Sequence, residues 1–87
     1  MKKETVLVSS ERADAIIAEL CSLSRSAAAE LFRREKVFIN GRICPDPSSR
    51  LKEGDVFSVR GFGKFVMRTQ SGVSKKGRLY LTVDRYV

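Results

Sequence analysis

The apolar residues change their period between Lys36 and Val37, from helical to strand spacing, and that change restricts the folds open to this chain. Before it, Ala13, Ile16, Ile17 and Leu20 recur at i, i+3, i+4 and i+7, the spacing of one helix face. Ser10 suits the N-cap of this first helix, and Glu11 and Asp14 suit its positive end. The stretch Ser22-Leu23-Ser24 interrupts the pattern, and Ser24 is placed to cap a second helix over about Arg25 to Glu35. In that helix Ala27, Ala28 and Leu31 share one side. Arg25, Ala29, Arg33 and Lys36 share the other, with Phe32 on the boundary. Small alanines allow the two helices to approach closely, so residues 10–36 read as a helix hairpin with an apolar seam and a basic outer stripe.

Beyond Lys36 the signals are those of strands. Val37-Phe38-Ile39 runs into Asn40-Gly41, a strong two-residue hairpin turn. Residues 45–55 read as a loop with two prolines and a Gly54-Asp55 turn. Residues 56–61, 61–70 and 77–87 read as three further strands, the last two joined by the polar, basic segment 71–77. Residues 5–10 read as a short strand or extended entry. The expected fold class is therefore α+β: a two-helix hairpin followed by a small, mostly antiparallel sheet over about 37–87, all within one domain spanning 1–87. No repeat, low-complexity tract or linker interrupts it.

Composition narrows the function. At 87 residues, with 43% hydrophobic and 31% charged side chains, the chain has the make-up of a folded domain with one modest core. Seventeen basic residues against ten acidic ones give a net charge of +7, which favours an anionic partner. With no histidine, Cys21 and Cys44 lack the companions a zinc site needs, and they read as small apolar residues in a reducing cytosol. The N-terminal apolar run Val6-Leu7-Val8 is too short for a secretory signal, and nothing approaches a membrane span. General acid–base work would fall to scattered carboxylates, lysines, tyrosines or thiols, and Gly61-Phe62-Gly63-Lys64 lacks the spacing of a phosphate-cradling loop. No enzymatic activity, cofactor, metal or small-molecule substrate is expected.

What remains is the basic cluster. Residues 24–42 hold five basic and two acidic side chains. Arg25 falls in the first turn of a helix, where unpaired N–H groups and the helix dipole favour anions, and Ser24 and Ser26 add hydroxyls. Arg33 and Lys36 continue that face, Asn40 and Arg42 flank the turn beyond it, and Arg12 begins the other helix. Phe62 and Phe65 are candidates for base stacking or for the core. Lys75, Lys76 and Arg78 are either a second phosphate contact or a hairpin tip kept soluble. A solvated charged face, with Glu30 and Glu35 paired to their neighbours, is the alternative reading of residues 24–42, but the excess of cations and the placement of Arg25 at a helix start favour an anion site.

The same residues resemble a known family. Arg12 with Asp14, then Ser24-Arg25-Ser26 with Ala28, then Val37, Ile39, Asn40 and Gly41, then Pro47 and Gly54-Asp55, match the pattern of the S-four RNA-binding domain, named after ribosomal small-subunit protein four, over about residues 11–61. Ala13 stands where that family usually has leucine, and Glu35-Lys36 where it often has glycine, which bears on where the second helix ends. The remainder is similar to the tail of a bacterial subgroup in which this domain is the C-terminal part of a longer RNA-binding protein encoded near cell-division genes, so the chain is read as a piece of a larger protein. The resemblance implies the alpha-L RNA-binding fold, a cytoplasmic location and binding to structured RNA, ribosomal or transfer RNA on the ribosome, with no membrane partner. The RNA-binding residues it implies are Arg12, Ser24, Arg25, Ser26, Arg33, Lys36, Asn40 and Arg42. Rival readings are a protein-interaction adaptor and the targeting domain of an RNA-modifying enzyme. DNA binding through the helix pair is disfavoured because no long polar recognition helix follows.

Overall fold

The computed structural model describes residues 1–86. Two helices, α1 (Ala13–Leu20) and α2 (Arg25–Arg33), pack on one face of a six-stranded antiparallel sheet. Its strands are β1 (Lys2–Val8), β2 (Val37–Ile39), β3 (Arg42–Ile43), β4 (Val56–Val59), β5 (Gly63–Val73) and β6 (Leu79–Arg85), in the order β1-β6-β5-β4-β2-β3. The α+β expectation holds, with one difference. The N-terminal segment is a full strand that pairs with the last one, Lys2 opposite Arg85 through Val8 opposite Leu79. The sheet therefore starts before the helix hairpin as well as following it.

Period-2 alternation sets the buried face. Val6 and Val8, Phe57 and Val59, Phe65 and Met67, and Leu81 and Val83 all enter one core with Ile16, Ile17, Ala28, Phe32 and Leu51. The Phe57 and Phe65 rings stack at 5.2 Å within it. Phe65 is thus a core residue, whereas Phe62 stays exposed. Arg85 ties the ends of the chain to this core. It pairs with Glu4 on β1, donates to the carbonyl of Leu20 at the end of α1 (3.1 Å), and lies over the Phe65 ring at 5.0 Å. Among the described residues both cysteines are free thiols, and burial pushes the Cys21 thiol up, Glu4 adding to that and Arg85 opposing it.

Three local details depart from the sequence reading. First, α1 is buried almost all round, with Glu19 alone exposed. Three partners cover it: the sheet, α2 and the loop before β4. Second, Ser10 is not the N-cap of α1. Arg12 occupies that position, and Ser10 accepts the Arg12 N–H instead (3.4 Å). Two N–H groups of the first turn donate to loop carbonyls, Ala13 to Ser49 (2.7 Å) and Asp14 to Pro47 (3.1 Å), which makes a side-chain cap unnecessary. Third, α2 is capped by Ser24 as expected, its hydroxyl accepting from the Ala27 N–H (3.1 Å), but it ends at Arg33. Phe32 is fully buried rather than at a boundary, forming the seam with Ala28 one turn earlier.

The end of α2 explains the early stop. Glu35 has φ +58°, the Glu35 N–H donates to Phe32 (3.1 Å) and the Lys36 N–H to Leu31 (3.0 Å), a Schellman motif with glutamate in the left-handed position. A β-carbon in that conformation costs roughly 1–2 kcal/mol, partly offset because glycine would lose more backbone entropy on folding. Glu35→Gly is therefore expected to raise stability by about 0.5–1 kcal/mol. A higher denaturant midpoint with an unchanged slope is the outcome to look for, and a lower midpoint would contradict the strain.

Candidate nucleic-acid interface

The N-terminal ends of the two helices meet at Asp14, whose residue is only 4% exposed. Its carboxylate takes four donors. The Arg12 fork donates through Nε to Oδ1 and through Nη2 to Oδ2, both at 3.1 Å. Arg25 on α2 donates through Nη2 to Oδ2 at 3.1 Å, and the Ala15 N–H to Oδ1 at 2.8 Å. Burial alone would raise the Asp14 pKa. The hydrogen bonds from Arg12 and Arg25, together with their charges, outweigh it and hold the carboxyl below its ordinary 3.8.

The arginines are anchored on one side only. Their side chains remain 41% and 50% exposed. A guanidinium has about five N–H donors, and Arg12 spends two on Asp14 and Arg25 one, so most donors of each fork have no partner among the described residues. Beside them, Arg25 and Ser26 open α2 with N–H groups that have no intrahelical acceptor, and the Ser26 side chain is exposed. The geometry brings Arg12 and Arg25 together on one carboxylate that neutralises only part of their charge, with Ser24 and Ser26 flanking Arg25 at the start of α2.

The other predicted residues lie farther along the chain and in different surroundings. Arg33 pairs with Glu30 at 2.8 Å, and Arg34 pairs with the same Glu30 at 3.2 Å, so that end of the helix keeps one net positive charge. Lys36 does not continue the helical stripe. The left-handed Glu35 turns the chain first, and the Lys36 carbonyl accepts the Arg60 N–H (2.9 Å). Asn40 and Gly41 both have positive φ, +52° and +81°, as a two-residue hairpin turn requires. The Asn40 amide is already engaged: it donates to Asp55 (3.1 Å) and accepts the Val56 N–H (3.0 Å). It thereby fixes the turn against β4 and presents the exposed Arg42 at the start of the edge strand β3.

Two residues of this surface escaped the sequence reading. Asp14 looked like a helix-dipole residue, yet it organises both arginines; an acid two positions after Arg12, on a helix that a second basic helix must meet, was the available signal. Arg50 looked like part of a plain loop. It forms an isolated β-bridge with Arg12 and is exposed, so the loop that caps α1 adds a cation next to the pair.

Comparison with known proteins identifies the family. The S4 domain family model matches residues 11–57, more than half the chain, and the chain belongs to that family of RNA-binding domains. It is 36% identical over 78 residues, 90% of its length, to the ribosome-associated protein quality control protein P2 of Bacillus subtilis (strain 168), and spans 30% of that relative. In fold it is similar to a pseudouridylate synthase crystal structure, with a TM-score of 0.58 and 28% identity over 71% of this chain and 26% of the synthase.

The lowered Asp14 pKa gives a pH dependence whose sign is fixed. Its stabilisation is complete above the unfolded value near 3.8 and is lost as pH falls through the lower folded value. Asp14→Asn removes the charge that holds two half-exposed arginines, which can rehydrate, so the expected cost near neutral pH is about 1–3 kcal/mol. Denaturant midpoints compared between pH 2 and 6 should show the wild type converging on the variant at the acid end. A constant gap across that range would show that the carboxylate charge is not what stabilises the contact.

Proposed function

We propose that this chain is a noncatalytic RNA-binding module that holds structured RNA, ribosomal or transfer RNA on the ribosome, through the helix-end surface built on Asp14. The observation that carries this reading is the anchoring of Arg12 and Arg25 by one buried carboxylate, with both side chains partly exposed and most of their donors unpaired. Forks fixed in this way bind phosphate oxygens with less loss of side-chain freedom than free arginines would. The neighbouring N–H groups of α2 and the Ser24 and Ser26 hydroxyls suit the same phosphates. Arg33, Lys36 and Arg42 extend the contact along the backbone, and Asn40 acts by positioning Arg42. Recognition of this kind follows the shape and phosphate path of the RNA more than its base sequence. The ribosome-associated relative supports the ribosome as the setting and the cytoplasm as the location.

A second reading, the targeting domain of an RNA-modifying enzyme, is supported by the pseudouridylate synthase, in which the similar part is about a quarter of the chain. Both readings assign the same task to this surface and differ in what is joined to it.

The test is a binding titration with structured ribosomal and transfer RNA fragments at several salt concentrations. Arg25→Ala should weaken binding to all of them and lower the slope of log K against log salt by up to about one unit, with the thermal transition nearly unchanged. Wild-type affinity in a folded Arg25→Ala variant would remove Arg25 from the interface.

A further inference from the structure

The hairpin formed by β5 and β6 lies outside the residues matched by the family model, yet its tip returns to the helix-end surface. Val73 pairs with Leu79, and β1 pairs with β6 as far as Val8 opposite Leu79. Arg78 is therefore beside the end of β1, where Ser9 leads toward α1. A cleft of about 160 Å³ opens there, and Arg25 and Arg78 both line it, with Ser9, Glu19 and Leu23. By the roughly 30 Å³ that a water occupies in the liquid, this has room for a phosphodiester group and a few waters.

The electrostatics of the cleft are unbalanced. Arg25 is tied to Asp14 on one side, while Arg78 has no carboxylate partner among the described residues. Two guanidinium groups lining one cleft repel each other unless an anion lies between them. Glu19 is the one carboxylate in the lining, and it forms no ion pair among the described residues. Residues 63–83 contain Lys64, Arg68, Lys75, Lys76 and Arg78 and no acidic residue. The tip is also an ordered turn. The Ser74 N–H donates to the Arg78 carbonyl (2.7 Å), the Gly77 N–H to the Ser74 carbonyl (2.9 Å), and the Arg78 N–H to the Ser74 hydroxyl (3.1 Å), with Gly77 at φ +79°. Lys75 and Lys76 stand exposed on it. Register shifts between Met67 and Gln70 and between Gln70 and Gly72 add twist to the strand that carries the tip.

We propose that this hairpin is the second wall of the RNA-binding surface: Arg78 and Arg25 hold one stretch of RNA phosphate backbone across the cleft, and Lys75 and Lys76 extend the grip beyond it. The proposal rests on the RNA-binding reading above and adds a contact region to it. It favours nucleic acid over an acidic protein because the cations follow one another from helix end to hairpin tip, as a phosphate path requires.

The experiment compares the whole chain with Lys75→Gln/Lys76→Gln/Arg78→Gln and with Arg25→Ala, each titrated with the same structured ribosomal and transfer RNA fragments across salt and with poly-glutamate as an acidic polypeptide. The triple variant should bind RNA more weakly, with a salt slope shallower by about 2 units, and should keep the wild-type thermal transition. Amide shifts of residues 74–79 in the wild type should move with RNA, which tests the contact independently of how the variant folds. If Arg25→Ala weakens binding while the triple variant binds as wild type and residues 74–79 do not shift, the hairpin only completes the sheet. If poly-glutamate binds as tightly as RNA and loses affinity in the triple variant, the tip is a protein-docking site. If the wild type binds none of the RNAs, it is the RNA-binding reading itself that fails.

Discussion

One buried carboxylate sets the geometry on which the binding surface depends. Asp14 cannot remain ionised away from water unless its charge is met, and isolated burial of a carboxylate would be prohibitive. It is met by Arg12 from its own chain segment and by Arg25 from the other helix. Because the arginines are half-exposed, their desolvation is modest, and the arrangement avoids the usual penalty of a fully buried ion pair. The same contact fixes the start of α1 relative to the start of α2. The loop at 47–51 then closes on α1 by backbone hydrogen bonds and brings Arg50 alongside. Structural necessity and the proposed anion binding thus use the same side chains: the acid keeps the cations in place and leaves most of their donors unpaired.

The sheet plays the complementary part. Pairing β1 with β6 joins the two ends of the described chain, and Arg85 locks that joint to Glu4, to the end of α1 and to the Phe65 ring. The consequence for the surface is positional. A hairpin anchored only through β4 would be free to lean away from the helices. With β6 held on both sides, by β1 and β5, the turn carrying Arg78 is held over the cleft that Arg25 lines.

What the sequence made legible was mostly local. The Ser24 cap, the Asn40-Gly41 turn and the apolar positions of both helices follow from short-range chemistry and were readable at once. The basic cluster and the neighbourhood of Arg12 and Arg25 were readable from charge and spacing. What was not readable depended on partners distant in sequence. Ser10 looked like a cap because nothing local revealed that Ser49 and Pro47 would supply the acceptors for α1. Phe32 looked peripheral because its burial requires the sheet as a third partner. Asn40 was readable as a turn residue, but not its amide's bonds to Asp55 and Val56, which lie fifteen and sixteen residues on. In each case a polar or aromatic group of ambiguous role was assigned by tertiary contact, which sequence periodicity does not encode.

The division of labour among the cations follows the same logic. Every ion pair among the described residues uses an arginine, Arg12, Arg25, Arg33, Arg34, Arg68 or Arg85, and none uses a lysine. A planar fork can hold a carboxylate and still donate elsewhere, whereas an ammonium is a strongly hydrated point charge with little geometric preference. Arginines therefore serve where the fold and the surface share a residue, as at Asp14. The lysines, with Arg42, Arg50, Arg60 and Arg78, have no acidic partner among the described residues, and all but Lys64, which lies over the Tyr86 ring, leave their charge for solvent or a partner. The net charge of +7 understates this asymmetry, because the carboxylates that cancel cations are concentrated on a few arginines: Asp14 on Arg12 and Arg25, Glu30 on Arg33 and Arg34. Two arginines per acid leave the Asp14 and Glu30 sites positive, whereas Arg68 with Asp84 and Arg85 with Glu4 are balanced pairs, so at Asp14 and Glu30 even the charge spent on pairing contributes to an electropositive surface.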